Sequence, residues 1–183
     1  MNTANRITLA RIGLIPVFLF FLLTRFVPGS VFIALGVFLL ASLSDGLDGY
    51  IARKYNLITD FGKFIDPLAD KLLICAALAG LQHWGFVSSV LVFAVVAREL
   101  VVTALRAEAV RTGTVIAAAF SGKLKMVTQI VAVSIGLLAV EYAECALWLK
   151  TASDIGMWIM GSVTVYSGVE YLVKNRSAVD FRK

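Results

Sequence analysis

The 183-residue chain is poor in proline, cysteine and histidine, with three, two and one of these residues respectively. Two cysteines, Cys75 and Cys145, suggest neither a disulfide framework nor a zinc knuckle. A single histidine, His83, excludes catalysis by a histidine cluster. Long hydrophilic stretches, serine- or glycine-rich linkers, low-complexity tracts and internal repeats are also missing. We therefore expect no soluble domain and a single domain over residues 1–183.

Apolar residues dominate what is present, with 60% hydrophobic residues and a mean hydropathy of +0.88. Such a composition is typical of an integral membrane protein. Since about 20 residues span a bilayer, the pattern predicts an all-α, polytopic membrane protein with six transmembrane helices. The apolar stretches are Ile7–Phe26, Val31–Ser44, Asp66–Leu81, Phe86–Val110, Lys125–Val140 and Ser153–Val173. The first is expected to remain as a helix, because no small-residue cleavage site precedes the next stretch.

The positive charges favour one orientation. Of the 17 lysines and arginines, all except Arg25 and Lys150 fall on one side of the predicted spans. The positive-inside rule then places both termini, the acidic segment of residues 45–70 and the loop between helices four and five in the cytoplasm. We expect the protein in the inner (cytoplasmic) membrane as a multi-pass protein. The net charge of +5 suits anionic membrane lipids. No basic strand interleaved with aromatics accompanies it, so we expect no nucleic acid partner.

Four carboxylates interrupt this apolar chain between residues 45 and 70: Asp45, Asp48, Asp66 and Asp70. Acids at membrane depth are costly and indicate function. On a helix, Asp45 and Asp48 lie about 60° apart and Asp66 and Asp70 about 40° apart, so each pair points to one place. Pro67 is expected in the first turn of helix three, where proline is tolerated.

The residue types around these acids indicate a metal and a phosphate. Four carboxylates form an all-oxygen ligand set that suits Mg²⁺, Mn²⁺ or Ca²⁺ and not zinc or copper, and their charge matches two divalent ions, as in two-metal phosphoryl transfer. Gly49 and Gly62 allow close approach to a ligand. Arg53 suits bidentate binding of phosphate. The residues alone therefore predict metal-dependent handling of a phosphate ester or diphosphate at the membrane surface.

A second group of polar residues predicts a site for a phosphorylated second substrate. Arg98 and Arg106 lie about 80° apart on predicted helix four, with Glu99 as a possible partner, and Gly122 and the following lysines open helix five. The predicted phosphate contacts are Arg11, Arg98, Arg106, Lys123 and Lys125. The alternative is that these cations anchor cytoplasmic helix ends to lipid phosphates.

The acid pattern also resembles a known signature. Asp-x-x-Asp-Gly-x-x-Ala-Arg, eight residues, then Gly-x-x-x-Asp-x-x-x-Asp is similar at every specified position to the signature of the CDP-alcohol phosphatidyltransferases. The alternative is a solvated acidic loop between two membrane helices. The resemblance implies displacement of CMP from a CDP-linked lipid by an alcohol, without a phosphoenzyme. It implies that the four aspartates hold two divalent cations (Mg²⁺ or Mn²⁺) and that Asp70 is also the base. The CDP-lipid contacts it implies are Gly49, Ala52, Arg53 and Gly62.

The start of the chain, Asn5-x-x-Thr8-x-x-Arg11, resembles the opening common to this family. Asn5 and Thr8 suit a substrate contact and a helix N-cap about equally. The Arg98-Glu-Leu and Gly122-Lys-x-Lys segments are most similar to members that use glycerol 3-phosphate. The resemblance implies that CDP-diacylglycerol and glycerol 3-phosphate react to give phosphatidylglycerophosphate and CMP. It also implies a homodimer.

Two alternatives stay open. One is the same chemistry with serine or inositol phosphate as acceptor, although the basic residues favour a phosphorylated acceptor. The other is a divalent-cation transporter, whose acids would lie at mid-membrane on broken helices.

Overall fold

The structure, a computed structural model, describes the backbone of residues 3–54, 60–111, 120–142 and 145–175. Within those residues the chain is all-helical and forms six α-helices. They are α1 (Thr3–Thr24), α2 (Ser30–Lys54), α3 (Asp60–His83), α4 (Ser89–Arg111), α5 (Phe120–Glu141) and α6 (Leu147–Lys174). The side chains of residues 3–4, 45–54, 60–61, 63–64 and 110–111 lie outside this description.

Each predicted apolar stretch coincides with one helix, which confirms six helices in the described part of the chain. The helices differ from the stretches mainly where they continue into polar residues. Helix α2 runs ten residues beyond Ser44 to Lys54, and α3 begins at Asp60, six residues before the predicted start. Both halves of the acid motif are therefore helical, because backbone hydrogen bonding carries a helix on after its apolar face has ended.

Two predictions about helix ends are wrong for the same reason. Pro67 lies inside α3, nearly two turns after its start, and not in the first turn. Asn5 and Thr8 lie inside α1, which begins at Thr3, so neither is an N-cap. Hydropathy locates the apolar middle of a helix and misses its polar turns, so it places the ends too far inward.

Contacts between helices give their directions. Thr8 of α1 meets Asp66 of α3, and Leu22 meets Trp84 just beyond α3, so these two helices are parallel. Gly168 of α6 packs on Arg98 of α4, and Lys125 of α5 meets Glu99. We call the end where α1, α3 and α5 begin and α2, α4 and α6 end the motif end. The other end is the opposite end.

The core is an apolar layer between these ends. Its fully buried members include Phe18 of α1, Phe38 of α2, and Leu78 and Leu81 of α3, and the rings of Phe18 and Phe38 are 6.0 Å apart. Large apolar side chains also cover the outer faces, such as Phe20, Phe93 and Trp158. Among the described helices, the segments Asn5–Thr24 and Phe120–Glu141 are long and apolar enough to cross a membrane.

Candidate active site

The first half of the acid motif lies on the last turns of α2, at the motif end. Asp45 and Asp48 are three positions apart on this helix, followed by Gly49, Ala52 and Arg53. This backbone confirms the helical spacing from which a shared direction was predicted. Their side chains lie outside the described residues, so their roles stay predictions.

The second half lies on α3. Gly62 is buried, and Asp66 and Asp70 are half-buried on successive turns of the same helix. Residues four apart on a helix lie on one face, so the predicted convergence of Asp66 and Asp70 agrees with the helix. Both are predicted metal ligands, and in the structure they stand at the motif end with Thr8 beside them.

Thr8 binds directly to the predicted metal site. Its hydroxyl donates a hydrogen bond of 2.6 Å to Oδ1 of Asp66, across 58 positions of sequence. Thr8 is fully buried and Asp66 is half-buried, so the hydroxyl reaches the carboxylate from the protein interior and orients it. A partner of this kind behind a metal ligand fixes the ligand's rotamer. Thr8 is thus placed to support the site through Asp66.

Arg11 lies one turn further along α1 and is only 1% exposed. Its Nε donates to the Ser44 hydroxyl at 3.1 Å, and Ser44 donates to the carbonyl of Ala41 at 2.8 Å. Ser44 directly precedes Asp45. Arg11, predicted as an acceptor-phosphate contact, is therefore placed beside the first acid pair. Ser44 was not singled out by the sequence, and its position next to the motif was the signal available.

A buried ionic cluster forms the other part of the site. Glu99 of α4 is 5% exposed and Lys125 of α5 is 7% exposed. The Lys125 ammonium donates to Oε1 of Glu99 at 2.6 Å, and Nη1 of Arg98 donates to the same oxygen at 3.3 Å. The pairing of Arg98 with Glu99 agrees with the sequence prediction. The structure adds Lys125 to it.

Lys71 links this cluster to the acids of α3. It directly follows Asp70 and interacts electrostatically with Asp70, Glu99, Lys125 and Arg106. From the sequence alone, Lys71 is only one of the cations predicted on the cytoplasmic side. Its position next to the last motif aspartate was the signal for a nearer role.

The two other predicted cations lie further out. The Arg106 guanidinium stands over the ring of Tyr171 of α6, 5.6 Å from its centroid, which is a cation–π contact. Lys123 is exposed on the first turns of α5. The structure therefore brings together Arg98 and Lys125, with Arg106 and Lys123 at the rim.

The arrangement combines two chemistries at one end of the helices. Asp66 and Asp70 offer hard oxygen ligands, which is the donor type that Mg²⁺ and Mn²⁺ prefer. The cluster around Glu99 holds two cations in a buried place, where charge attracts an anion more strongly than in water. Such a site suits two phosphate-bearing substrates, one with its phosphate bound near the acids and the other with its phosphate bound near the cations.

Comparison with known proteins agrees with this geometry. The sequence model of the CDP-alcohol phosphatidyltransferase family matches residues 1–166. The match covers α1 to α5 and most of α6, and with them both halves of the acid motif. The chain belongs to the CDP-alcohol phosphatidyltransferase family, and it is an enzyme of that class.

Its relatives are similar to it over most of their length. The Bacillus subtilis CDP-diacylglycerol–glycerol-3-phosphate 3-phosphatidyltransferase is 41% identical, with 97% of each chain covered. A probable phosphatidylglycerophosphate synthase of Mycobacterium tuberculosis is 38% identical, over 94% of this chain and 81% of the relative. The Haemophilus influenzae CDP-diacylglycerol–glycerol-3-phosphate 3-phosphatidyltransferase is 34% identical, over 91% and 89%.

Proposed function

We propose that this enzyme transfers the phosphatidyl group from CDP-diacylglycerol to glycerol 3-phosphate, forming phosphatidylglycerophosphate and releasing CMP. The similarity to relatives that carry this activity in their names, over 91–97% of the chain, is the observation that carries the proposal. The buried cations Arg98 and Lys125 support it, because glycerol 3-phosphate brings a phosphomonoester that two such groups bind well.

The acids suit two divalent cations, Mg²⁺ or Mn²⁺, held by Asp45, Asp48, Asp66 and Asp70. Carboxylates one turn apart on α3, one of them oriented by Thr8, have the donor chemistry that such ions require. Bound there, the ions would neutralise charge on the diphosphate oxygens. Gly49, Ala52, Arg53 and Gly62 are the proposed contacts to the cytidine diphosphate, and the burial of Gly62 is consistent with a tight approach.

The reaction itself is a single displacement. The acceptor hydroxyl oxygen forms a bond to the lipid-side phosphorus, while the bond from that phosphorus to the bridging oxygen breaks and CMP leaves with that oxygen. Asp70 takes the hydroxyl proton as general base. Lys125 and Arg98, with Arg11, Arg106 and Lys123 as further contacts, hold the acceptor phosphate so that the hydroxyl faces the donor.

We place the enzyme in the inner (cytoplasmic) membrane as a single domain of six spanning helices. The apolar outer faces, including Phe93 and Trp158, support burial in lipid. The excess of positive charge at the motif end supports a cytoplasmic active site and cytoplasmic termini. We also propose a homodimer, on the resemblance to the family.

A product assay tests this function. Purified enzyme in detergent or vesicles receives CDP-diacylglycerol with Mg²⁺ or Mn²⁺, and CMP release is followed with glycerol 3-phosphate, serine or inositol phosphate as acceptor. We expect release with glycerol 3-phosphate and loss of activity with a chelator, restored by added metal. Release with serine and no response to glycerol 3-phosphate would assign the other acceptor. No CMP with any acceptor, together with uptake of cations into vesicles, would favour a transporter.

A further inference from the structure

Glu99 is a buried carboxylate to which two neighbouring cations are bonded. Its Oε1 accepts hydrogen bonds from both Lys125 and Arg98. Lys71 also lies within electrostatic range of both Glu99 and Arg106. With Asp70, which also faces Lys71, two negative charges stand among four positive ones, so these six side chains together keep a net positive charge.

The bond between Glu99 and Lys125 crosses the interior of the helix group. In the described residues, α4 packs against α3 and α6, and α5 packs against α2, α3 and α6, while α4 and α5 have no backbone contact with each other. The ion pair thus joins two helices across a gap that α3 and α6 flank. A lysine that reaches across such a gap is held at its end by the carboxylate.

Arg98 is fixed from two sides. Nη1 bonds to Glu99, and the aliphatic part of the side chain packs on α6, where a Cβ added to Gly168 would come within 2.8 Å of Arg98 Cγ. Its Nε is buried and has no hydrogen-bond partner among the described residues. A buried guanidinium donor of this kind is costly unless an anion or another acceptor completes it.

We propose that Glu99 is a positioning residue for the acceptor phosphate: it holds the ammonium of Lys125 and the guanidinium of Arg98 side by side, as one preformed anion site. This rests on the function proposed above and specifies how that site is built. Without the carboxylate, mutual repulsion among Arg98, Lys125 and Lys71 moves the flexible lysine away, so the loss of order outweighs the gain in net positive charge.

The test is the kinetics of Glu99→Gln with both substrates. Glutamine keeps the size and one oxygen but removes the charge, so the KM for glycerol 3-phosphate is expected to rise at least about tenfold, the scale of a lost charged hydrogen bond. We expect kcat at saturating acceptor and the KM for CDP-diacylglycerol to change by less than about threefold, because only acceptor binding is altered. Glu99→Asp keeps the charge and is expected to restore most of the affinity.

Three further variants make the result independent of folding defects. Gly168→Ala pushes on Arg98 without changing any charge, and is expected to raise the same KM. Its control is Gly156→Ala on the same helix, where the added Cβ lies at an ordinary 3.9 Å from Ala132. Glu141→Gln is the control for Glu99→Gln, since it also removes a carboxylate paired with arginine, but at the opposite end.

The outcomes are distinct. An unchanged or lower KM for glycerol 3-phosphate in Glu99→Gln overturns the positioning role, as does a rise that is equal for both substrates or is also seen in Glu141→Gln. If Glu99→Gln does not fold, an unchanged KM in Gly168→Ala overturns it instead. If the unaltered enzyme releases no CMP with glycerol 3-phosphate, the proposed function fails and this inference fails with it.

Discussion

Both ends of the helix group carry ion pairs between a glutamate and basic side chains, but the pairs are buried at one end and more exposed at the other. At the motif end, Glu99 binds Lys125 and Arg98 with side chains 6%, 9% and 12% exposed. At the opposite end, Arg25 binds Glu141 at 3.1 Å with side chains 41% and 20% exposed. Buried charges are costly to keep, whereas an exposed pair costs and contributes little. The difference marks the motif end as the part where charge serves a ligand.

At the opposite end, polar contacts hold the connection between α1 and α2 in place. Arg25 also donates to the carbonyl of Val140 at 3.4 Å and stands 5.1 Å from the centroid of Trp84. The Trp84 indole donates to the carbonyl of Leu22 at 3.1 Å. Arg25 has a positive φ of 45°, a backbone state uncommon for a residue with a side chain. These contacts hold the α1–α2 connection against the ends of α3 and α5.

The largest expected contrast between the ends concerns the acids. Asp45→Asn, Asp48→Asn and Asp66→Asn each remove an anionic ligand from a shared two-metal cluster and are expected to abolish turnover and weaken Mn²⁺ binding. The matched control is Asp154→Asn, an exposed acid towards the opposite end, which should keep normal turnover. Normal activity in any two of the three motif variants contradicts the metal site.

Asp70→Asn separates chemistry from binding. Asparagine cannot accept the hydroxyl proton, and positioned general-base catalysis contributes about 10² to 10⁴ in rate. We expect CDP-diacylglycerol binding to persist, while single-turnover CMP release falls at least about a hundredfold. A titration and a single-turnover assay on one preparation check this. Complete loss of nucleotide binding makes Asp70 chiefly a metal ligand, and a near-normal rate places the base elsewhere.

Lysines from the two ends offer a further comparison. Lys125→Met removes the buried ammonium and should raise the KM for glycerol 3-phosphate about tenfold or more, with little change for CDP-diacylglycerol. Lys150→Met, exposed near the start of α6, should leave both constants unchanged. Steady-state kinetics with each substrate varied in turn measure the effect. Equal responses of the two variants would mean that both lysines act only through general surface charge.

Thr8→Val tests support of the metal site from α1. Valine keeps the shape but cannot donate to Asp66, and loss of a partner behind a metal ligand typically costs about 10- to 100-fold in metal affinity or activity. We expect the Mn²⁺ affinity to fall by an amount near the lower end of that range, about tenfold. Activity should be partly recovered at high metal concentration. Thr24→Val is the control, since that exposed hydroxyl bonds only the carbonyl of Phe20 among the contacts described. Unaltered metal affinity in Thr8→Val would leave the Thr8–Asp66 bond a packing feature.

The smallest effect is expected at the opposite end. Arg25→Gln removes the exposed pair with Glu141 and weakens the contacts with Val140 and Trp84, and should lower the free energy of unfolding by about 1 to 2 kcal/mol. Turnover per folded enzyme and both KM values should be unchanged. Thermal unfolding in detergent and the CMP assay check this together. A large loss of activity without a loss of stability would show that the two ends are coupled.

Local sequence patterns were enough to predict the helices and part of the candidate site. The helices follow from apolar stretches, and the convergence of Asp66 and Asp70 follows from the fixed pitch of a helix. The pairing of Arg98 with Glu99 was also open to prediction, because the two residues are neighbours. Helix ends were harder to predict from the sequence. The predictions of Thr8 as an N-cap and of Pro67 in a first turn were wrong, because polar turns extend both helices.

What the sequence by itself determined is the class of the protein: a helical, apolar chain with a spaced set of acids that the CDP-alcohol phosphatidyltransferases share. Both properties are short-range, since composition and residue spacing do not depend on how the helices pack. Only the tertiary structure decided that Thr8 supports Asp66 and that Lys125 reaches Glu99, across 58 and 26 positions. Partners so far apart are chosen by which helices lie side by side, and that choice depends on the packing of the whole core.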